Sequence, residues 1–145
     1  PNAVFISCDL KNMNFMDAMM GRADFRGASM EGVNLEDSSL NGANFSGVNL
    51  SQTNLEGAQL QSVNINGTVL PHNMKRTTMI QMDFKQQTDL AGFDFSQATL
   101  SSCHFDGSTM SGCNFSNSTI ERGNFIKSNL CGSTFENASL IQVNF

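Results

Sequence analysis

The chain has 145 residues, of which 39% are hydrophobic and only 14% are charged, and its formal net charge is -5. This length fits one domain with its own core, and no run approaches the roughly 18 apolar residues that a membrane-spanning helix needs. The chain has thirteen acidic and eight basic residues. A surface with excess negative charge repels the phosphates of a nucleic acid, and we expect no direct contact with nucleic acid.

From the first residues onward, the chain repeats an apolar residue at every fifth position. Of the twenty-nine positions that are multiples of five, twenty-seven are apolar. The position two before each is mostly small, as at Ala23, and the position just before is usually Asn or Asp, as at Asn44. Neither an α-helix, with a period of about 3.6, nor a strand, with a period of about 2, produces a repeat of five.

Stretches such as ANFSGVNLSQTNLEGAQL, residues 43–60, closely resemble the pentapeptide repeat family, and the resemblance covers essentially the whole chain. It implies an all-β fold, a right-handed quadrilateral parallel β-helix in which four five-residue segments form the four sides of one coil. We expect about seven stacked coils. They would form a single domain over residues 1–145, either a whole rod or a fragment of a larger protein.

The distribution of phenylalanine fits a coil with four sides. Ten of the twelve Phe residues fall on odd multiples of five, and the fourteen even multiples carry only Leu, Met or Ile. In a coil of twenty residues, positions ten apart face each other across the core. Two opposite sides would therefore supply rings, and the other two would supply aliphatic side chains. Asn residues twenty apart would form amide ladders along the rod.

In the middle of the chain the five-residue count fails, because Lys75 and Lys85 occupy the apolar position. Moving the frame back by one residue restores the repeat on three apolar residues, Met74, Met79 and Phe84. This predicts a one-residue register slip over residues 71–89, with one residue lost after Leu70 and one regained near Gln86 and Gln87. In the shifted frame both lysines face outward, and no charge is buried.

Charged residues define two candidate contact surfaces. Sorting the outward positions by their place in a twenty-residue coil puts six acids on one face, here called the acidic face: Asp17, Glu36, Asp37, Glu56, Asp94 and Glu136. The slipped segment gathers three of the eight bases into a basic patch: Lys75, Arg76 and Lys85. The competing interpretations are a solvated face that keeps a regular sheet soluble and local accommodation of a slipped repeat.

Candidate catalytic groups are few. His104 stands where other repeats have Asn or Asp, which favours a ladder hydrogen bond over an acid-base pair with Asp106. The small inward position holds three of the four cysteines, Cys8, Cys103 and Cys113, while Cys131 faces outward. No zinc-ligand spacing, phosphate-binding loop or nucleophile elbow occurs. We therefore expect no enzymatic activity, cofactor or metal in this chain.

The family resemblance implies a non-catalytic, rod-shaped module that binds a protein partner. The first alternative is a mimic of duplex DNA that binds DNA gyrase and protects it from quinolones, as the Qnr-type members of the family do. The second is a β-helix recognition domain of a secreted bacterial effector, such as a HECT-like E3 ubiquitin ligase, that binds a host protein. We expect a location in the bacterial cytoplasm, or in a host cell for an effector. An open end at Phe145 also suggests end-to-end association of rods.

Overall fold

The computed structural model describes residues 2–85, 87 and 89–145 as an all-β solenoid, with no helix among them. Its five short strands are β1 (Gln59–Gln61), β2 (Thr78–Ile80), β3 (Thr99–Ser101), β4 (Thr119–Glu121) and β5 (Ser139–Ile141). They form one parallel sheet in the order β1-β2-β3-β4-β5. A sheet whose strand order follows chain order is typical of a solenoid, in which each coil stacks on the one before it.

Each coil has four sides, because parallel bridges join residues twenty apart at four places in the first coil. These bridges are Val4 to Asp24, Asp9 to Ser29, Asn14 to Asn34 and Met19 to Ser39. Each side is straight for only a few residues between turns, so most pairings stay isolated bridges. The five-stranded sheet therefore spans about four turns, fewer than the seven coils expected, while isolated bridges continue the pairing from Val4 to Asn144.

The corners of the coil use the left-handed backbone region. Positive φ values between 50° and 72° recur at ten glycines and at fifteen other residues of the described chain. A turn hydrogen bond closes such a corner, as from Cys8 N to Phe5 O at 3.0 Å. The Asn before the apolar residue accepts a second bond from the backbone, as from Glu36 N to Asn34 Oδ1 at 3.1 Å. This local bond explains why the repeat prefers Asn or Asp at that position.

Side chains from every fifth residue fill the core. Phe105 stacks on Phe125 with ring centroids 4.9 Å apart, and Phe95 stacks on Phe115 at 5.1 Å. Rings of the two stacks also meet edge to face across the core, as Phe115 and Phe125 do at 6.0 Å and 88°. Two opposite sides thus supply rings, as the alternation of Phe with aliphatic residues predicted.

Ile65 interrupts one of these ring stacks. Before it, Phe25 and Phe45 stack at 4.6 Å, and after it, Phe84 and Phe105 stack at 4.6 Å. Ile65 is buried in the intervening coil. The aromatic column on this side therefore consists of two separate stacks.

Between β1 and β3 the pairing register changes twice. Gln59 pairs with Thr78, nineteen residues on, and Thr78 pairs with Thr99, twenty-one residues on. Later strands return to steps of twenty. The fifth-position residues buried in the shifted coil are Met74, Met79 and Phe84. Gln86 and Thr88, at the end of the slipped segment, lie outside the described residues.

Several polar residues at the small position form hydrogen bonds inside the core. Thr53 Oγ1 donates to Met30 O at 2.9 Å, and Cys113 Sγ lies 3.1 Å from Leu90 O. Buried donors that find a carbonyl in this way avoid the penalty of an unpaired polar group. Cys8 holds the same repeat position, but its side chain is exposed, because in this structure only the following coil packs against the first one.

Replacing Phe105 with Ala should lower the free energy of unfolding by about 3–5 kcal/mol, because the ring is fully buried between Phe84 and Phe125. Phe145 belongs to the same stack but is 62% exposed, so Phe145→Ala should cost less than about 1.5 kcal/mol. Urea denaturation followed by circular dichroism measures both changes. Equal losses would contradict the stacked core.

Candidate functional site

The acidic face runs beside a column of asparagine side chains. Asn34 Nδ2 donates to Asn14 Oδ1 at 3.2 Å, and Asn54 Nδ2 donates to Asn34 Oδ1 at 3.0 Å. Asn54 Nδ2 also lies 3.2 Å from Glu36 Oε2. Each amide is thereby tied to the coil before it, at the spacing of about 4.8 Å that separates paired strands. The amide ladder expected from the sequence is present on this face and orients the neighbouring acids.

Three residues of the acidic face, Glu36, Asp37 and Glu56, converge on Arg76. Arg76 Nη2 lies 2.7 Å from Asp37 Oδ1, and Nη1 lies 3.1 Å from Glu56 Oε1 and 3.8 Å from Glu36 Oε1. Asp37 and Arg76 are 39 residues apart in the sequence, so the guanidinium group reaches past an intervening coil. We call these four residues the Arg76 cluster.

Gly57 leaves space for the Arg76 side chain to contact Asp37. It lies at the corner of the intervening coil with φ +71, and a Cβ built there would overlap Asp37 Oδ1 and lie 3.0 Å from Arg76 Nη2. A side chain at this corner would therefore occupy the space in which the guanidinium group and the carboxylate meet. Glycine suits the position twice, because it has no Cβ and because it adopts positive φ without steric cost.

The neighbouring carboxylates favour the charged form of Arg76. Coulombic attraction to Asp37 and then the hydrogen bond to its carboxylate raise the pKa of Arg76. Glu36 and Glu56 keep 28% and 29% of their side-chain surface exposed, and Asp37 keeps 41%, so water and salt screen each pair. One cation faces three carboxylates, and the cluster therefore presents excess negative charge in a fixed arrangement.

A second ion pair lies further along the acidic face, where Lys75 Nζ is 3.4 Å from Asp94 Oδ2. Burial by itself raises the pKa of Asp94, but the side-chain and backbone hydrogen bonds of Ser96 and the charge of Lys75 outweigh it and lower the pKa overall. Asn114 Nδ2 also donates to Asp94 Oδ1, at 3.3 Å. Asp94 is therefore ionised and anchored at neutral pH.

The structure brings together side chains that the sequence assigned to separate surfaces. Lys75 and Arg76 of the basic patch lie against the acidic face, whereas Lys85 lies on another side, with Nζ 3.9 Å from Asp106 Oδ2. Asp17 and Glu136, towards the two ends of the acidic face, are exposed and join no ion pair among the described residues. The sequence held one signal for this contact, since the coil position of Arg76 already placed a base among the acids.

The buried cysteines are poor nucleophiles. Burial raises the pKa of the Cys103 thiol to about 11, and burial likewise raises the pKa of Cys113 to about 11. Both thiols therefore stay protonated near neutral pH, and the thiolate is the reactive form. Cys8 and Cys131 are exposed, and all four cysteines are free.

The His104 and Asp106 side chains do not form a hydrogen-bonded pair. His104 Nδ1 lies 3.8 Å from Asp106 Oδ2, beyond hydrogen-bonding distance, and Asp106 Oδ1 accepts from Asn124 Nδ2 instead. Within the described ranges, no group of three or more His, Cys, Asp or Glu residues has the arrangement of a metal site. The same residues include no helix that is long and apolar enough to cross a membrane.

Gly57→Ala should destabilise the protein more than Gly47→Ala does. Both glycines have φ near +70, at +71 and +72, but a Cβ at Gly47 meets nothing within 4 Å. Gly47→Ala should therefore cost only the backbone strain of the left-handed region, about 1–2 kcal/mol, while Gly57→Ala also separates Asp37 from Arg76. Urea denaturation gives the difference, which should shrink at about 1 M salt because salt screens exposed charges. Equal values for the two variants at low salt would show that the Arg76 cluster adds no stability.

Family models match both parts of the chain. One described as a pentapeptide repeat region matches residues 2–74, and one described as pentapeptide repeats (8 copies) matches residues 86–117. Most of the slipped segment lies between the two matches. No curated protein matches this sequence.

Solved structures resemble this fold at low sequence identity. A trypsin-treated variant of QnrB1, a plasmid-mediated fluoroquinolone resistance protein, is 15% identical with a TM-score of 0.52, and the match covers 96% of this chain and 90% of that chain. HetL, a pentapeptide repeat protein involved in heterocyst differentiation regulation from the cyanobacterium Nostoc sp. strain PCC 7120, is 18% identical with a TM-score of 0.32, covering 99% and 87%. The five-residue repeat, the four-sided coil and the family matches agree, and the chain belongs to the pentapeptide repeat family.

Proposed function

We propose that this chain is a non-catalytic, rod-shaped module that binds a protein partner through the acidic face. The Arg76 cluster carries the proposal, because it fixes charged side chains from three coils against one another before any partner is bound. Surfaces whose side chains are ordered in advance lose less conformational entropy on binding. The asparagine column beside the cluster supports the same preorganisation.

The charges of the acidic face determine which partner surface would be electrostatically complementary to it. Glu36, Asp37 and Glu56 outnumber Arg76, so the central part attracts Lys and Arg side chains. An acidic or amide group on the partner would face the guanidinium group. The exposed Asp17 and Glu136 extend the negative charge towards both ends of the rod. The complementary surface is therefore basic and elongated, with one acceptor near its middle.

The triple variant Glu36→Gln, Asp37→Asn and Glu56→Gln tests this surface, because it keeps side-chain size while removing the carboxylates of the Arg76 cluster. A partner captured by the unaltered protein from extracts of its own cells, then purified, should bind the variant about tenfold more weakly or worse. Isothermal titration calorimetry measures the affinities.

A matched control removes the same number of charges from another side of the rod. The variant Asp9→Asn, Glu31→Gln and Asp89→Asn changes the net charge equally and leaves the acidic face intact. It should bind like the unaltered protein. If both triple variants bind with unchanged affinity, or both lose affinity equally, the acidic face is not the contact surface.

DNA mimicry directed at gyrase is the second candidate, favoured by the fold shared with QnrB1. A mimic of the DNA backbone needs negative charge along its length. Here Arg76 and Lys75 lie in the middle of the acidic face, paired with Glu56 and Asp94, and they interrupt the negative surface. We therefore rank mimicry below the general protein-binding role.

A supercoiling assay with purified DNA gyrase separates the two candidates. With a fluoroquinolone present, we expect this protein to give no protection, because of the interrupted negative surface. Arg76→Gln removes the central positive charge, so a true mimic should protect gyrase better with this substitution. Protection by the unaltered protein, strengthened in the Arg76→Gln variant, would replace the general proposal by mimicry.

A further inference from the structure

The register slip leaves an open seam on one side of the solenoid. Asn44 pairs with Asn64, and Asp83 pairs with His104, but within the described part of the chain no bridge joins Asn64 to Asp83. A surface depression of about 310 Å³ lies there instead, between residues 62–66 and residues 81–83. Near this seam, the Gln87 side chain contacts the backbone of the preceding coil, with Nε2 donating to Ile65 O at 3.0 Å and to Thr68 O at 2.9 Å.

Two Asn-Gly pairs occur in the sequence, and the structure holds them very differently. At the first pair, Asn41 Oδ1 accepts from Gln61 N at 3.0 Å, and Gly42 N donates to Gln61 O at 2.8 Å. The amide oxygen of Asn41 and the backbone nitrogen of Gly42 are thus both bound to the following coil. Asn41 is also partly buried.

The second pair, Asn66-Gly67, lies at the seam. Asn66 is exposed and lines the depression. Among the described residues, no hydrogen bond holds its side chain or the backbone nitrogen of Gly67. The nearest atoms to a Cβ built on Gly67 are the backbone N and Cα of Gly47 in the preceding coil, at 3.8 Å and 3.9 Å. Gln87 Nε2 donates to Ile65 O and Thr68 O on either side of this pair. Within the described part of the chain, the Asn66 amide and the Gly67 nitrogen lack the bonds that hold Asn41 and Gly42 to the following coil.

We infer that Asn66 is a site of spontaneous deamidation in the folded protein. The deprotonated backbone nitrogen of Gly67 attacks Cγ of Asn66, a new C–N bond forms, and the bond between Cγ and Nδ2 of Asn66 breaks to release ammonia. Water then opens the resulting five-membered succinimide at one of its two carbonyls, giving aspartate or isoaspartate. The absence of a side chain on Gly67 removes the steric hindrance to ring closure.

This reaction changes the seam in two ways. Either product places a new carboxylate beside the depression that Asp83 lines, which adds negative charge to one rim. The isoaspartate product also inserts a methylene group into the main chain next to Gly67, whose φ of +67 forms the corner. As the protein ages, deamidation of Asn66 therefore changes both the charge and the backbone geometry of the seam.

Peptide mass spectrometry of the folded protein, aged in mildly alkaline buffer, tests the inference. Cleavage after Glu36, Glu56 and Lys75 separates the two sites into residues 37–56 and 57–75. The peptide with Asn66 should gain the mass of deamidation about tenfold faster than the peptide with Asn41, since at Asn41 a backbone hydrogen bond must break first. Equal rates in the folded protein would overturn the inference.

The same protein unfolded in urea provides the control, because both Asn-Gly pairs should then react at similar rates. If Asn66 reacts in urea but stays intact in the folded protein, the seam protects it and the inference is wrong. Isoelectric focusing gives an independent readout. The acidic isoform that grows with age should be absent from Asn66→Gln and present in Asn41→Gln, and the reverse pattern would contradict the proposal.

Discussion

Pairing of each coil with the next is the constraint on which the rest of the structure depends. Because bridges join residues twenty apart on four sides, a residue type repeated at that interval becomes a continuous column. Inward columns become stacked rings, as with Phe105 and Phe125, and outward columns become amide ladders, as with Asn34 and Asn54. A change at one position therefore affects the coils before and after it as well as its own.

The charged surface is a consequence of the interrupted repeat. The slip moves Lys75 off the inward position and places Arg76 at a corner, with φ 57. Asp37 and Gly57 occupy the same corner in the two preceding coils, with φ 53 and 71. In an unbroken count of five, Lys75 would enter the core, where an unpaired charge is costly. One missing residue thus turns Lys75 outward and moves Arg76 to the corner, on a face that already carries acids.

Much of the architecture could be predicted from sequence, because the five-residue period is local and repeats many times. The buried positions of Phe95, Phe105 and Phe115 follow from counting alone. Counting does not predict how many strands the five-stranded sheet has, or that Cys8 is exposed. Both depend on how closely successive coils pack. The Arg76 cluster could be predicted only in part. The coil position of Arg76 places it on the same face as the acids, but its contacts with Asp37 and Glu56 also depend on side-chain rotamers.

Ile65 has a consequence for how the rod comes apart. Stacked rings link neighbouring coils, but this residue separates the stack that ends at Phe45 from the one that begins at Phe84. In a solenoid, stability is transmitted only between adjacent coils. Fraying that starts at either end should therefore slow or stop at this boundary. The molecule would then behave as two cooperative units, which the pairing of β1 with β2 and the Arg76 cluster join.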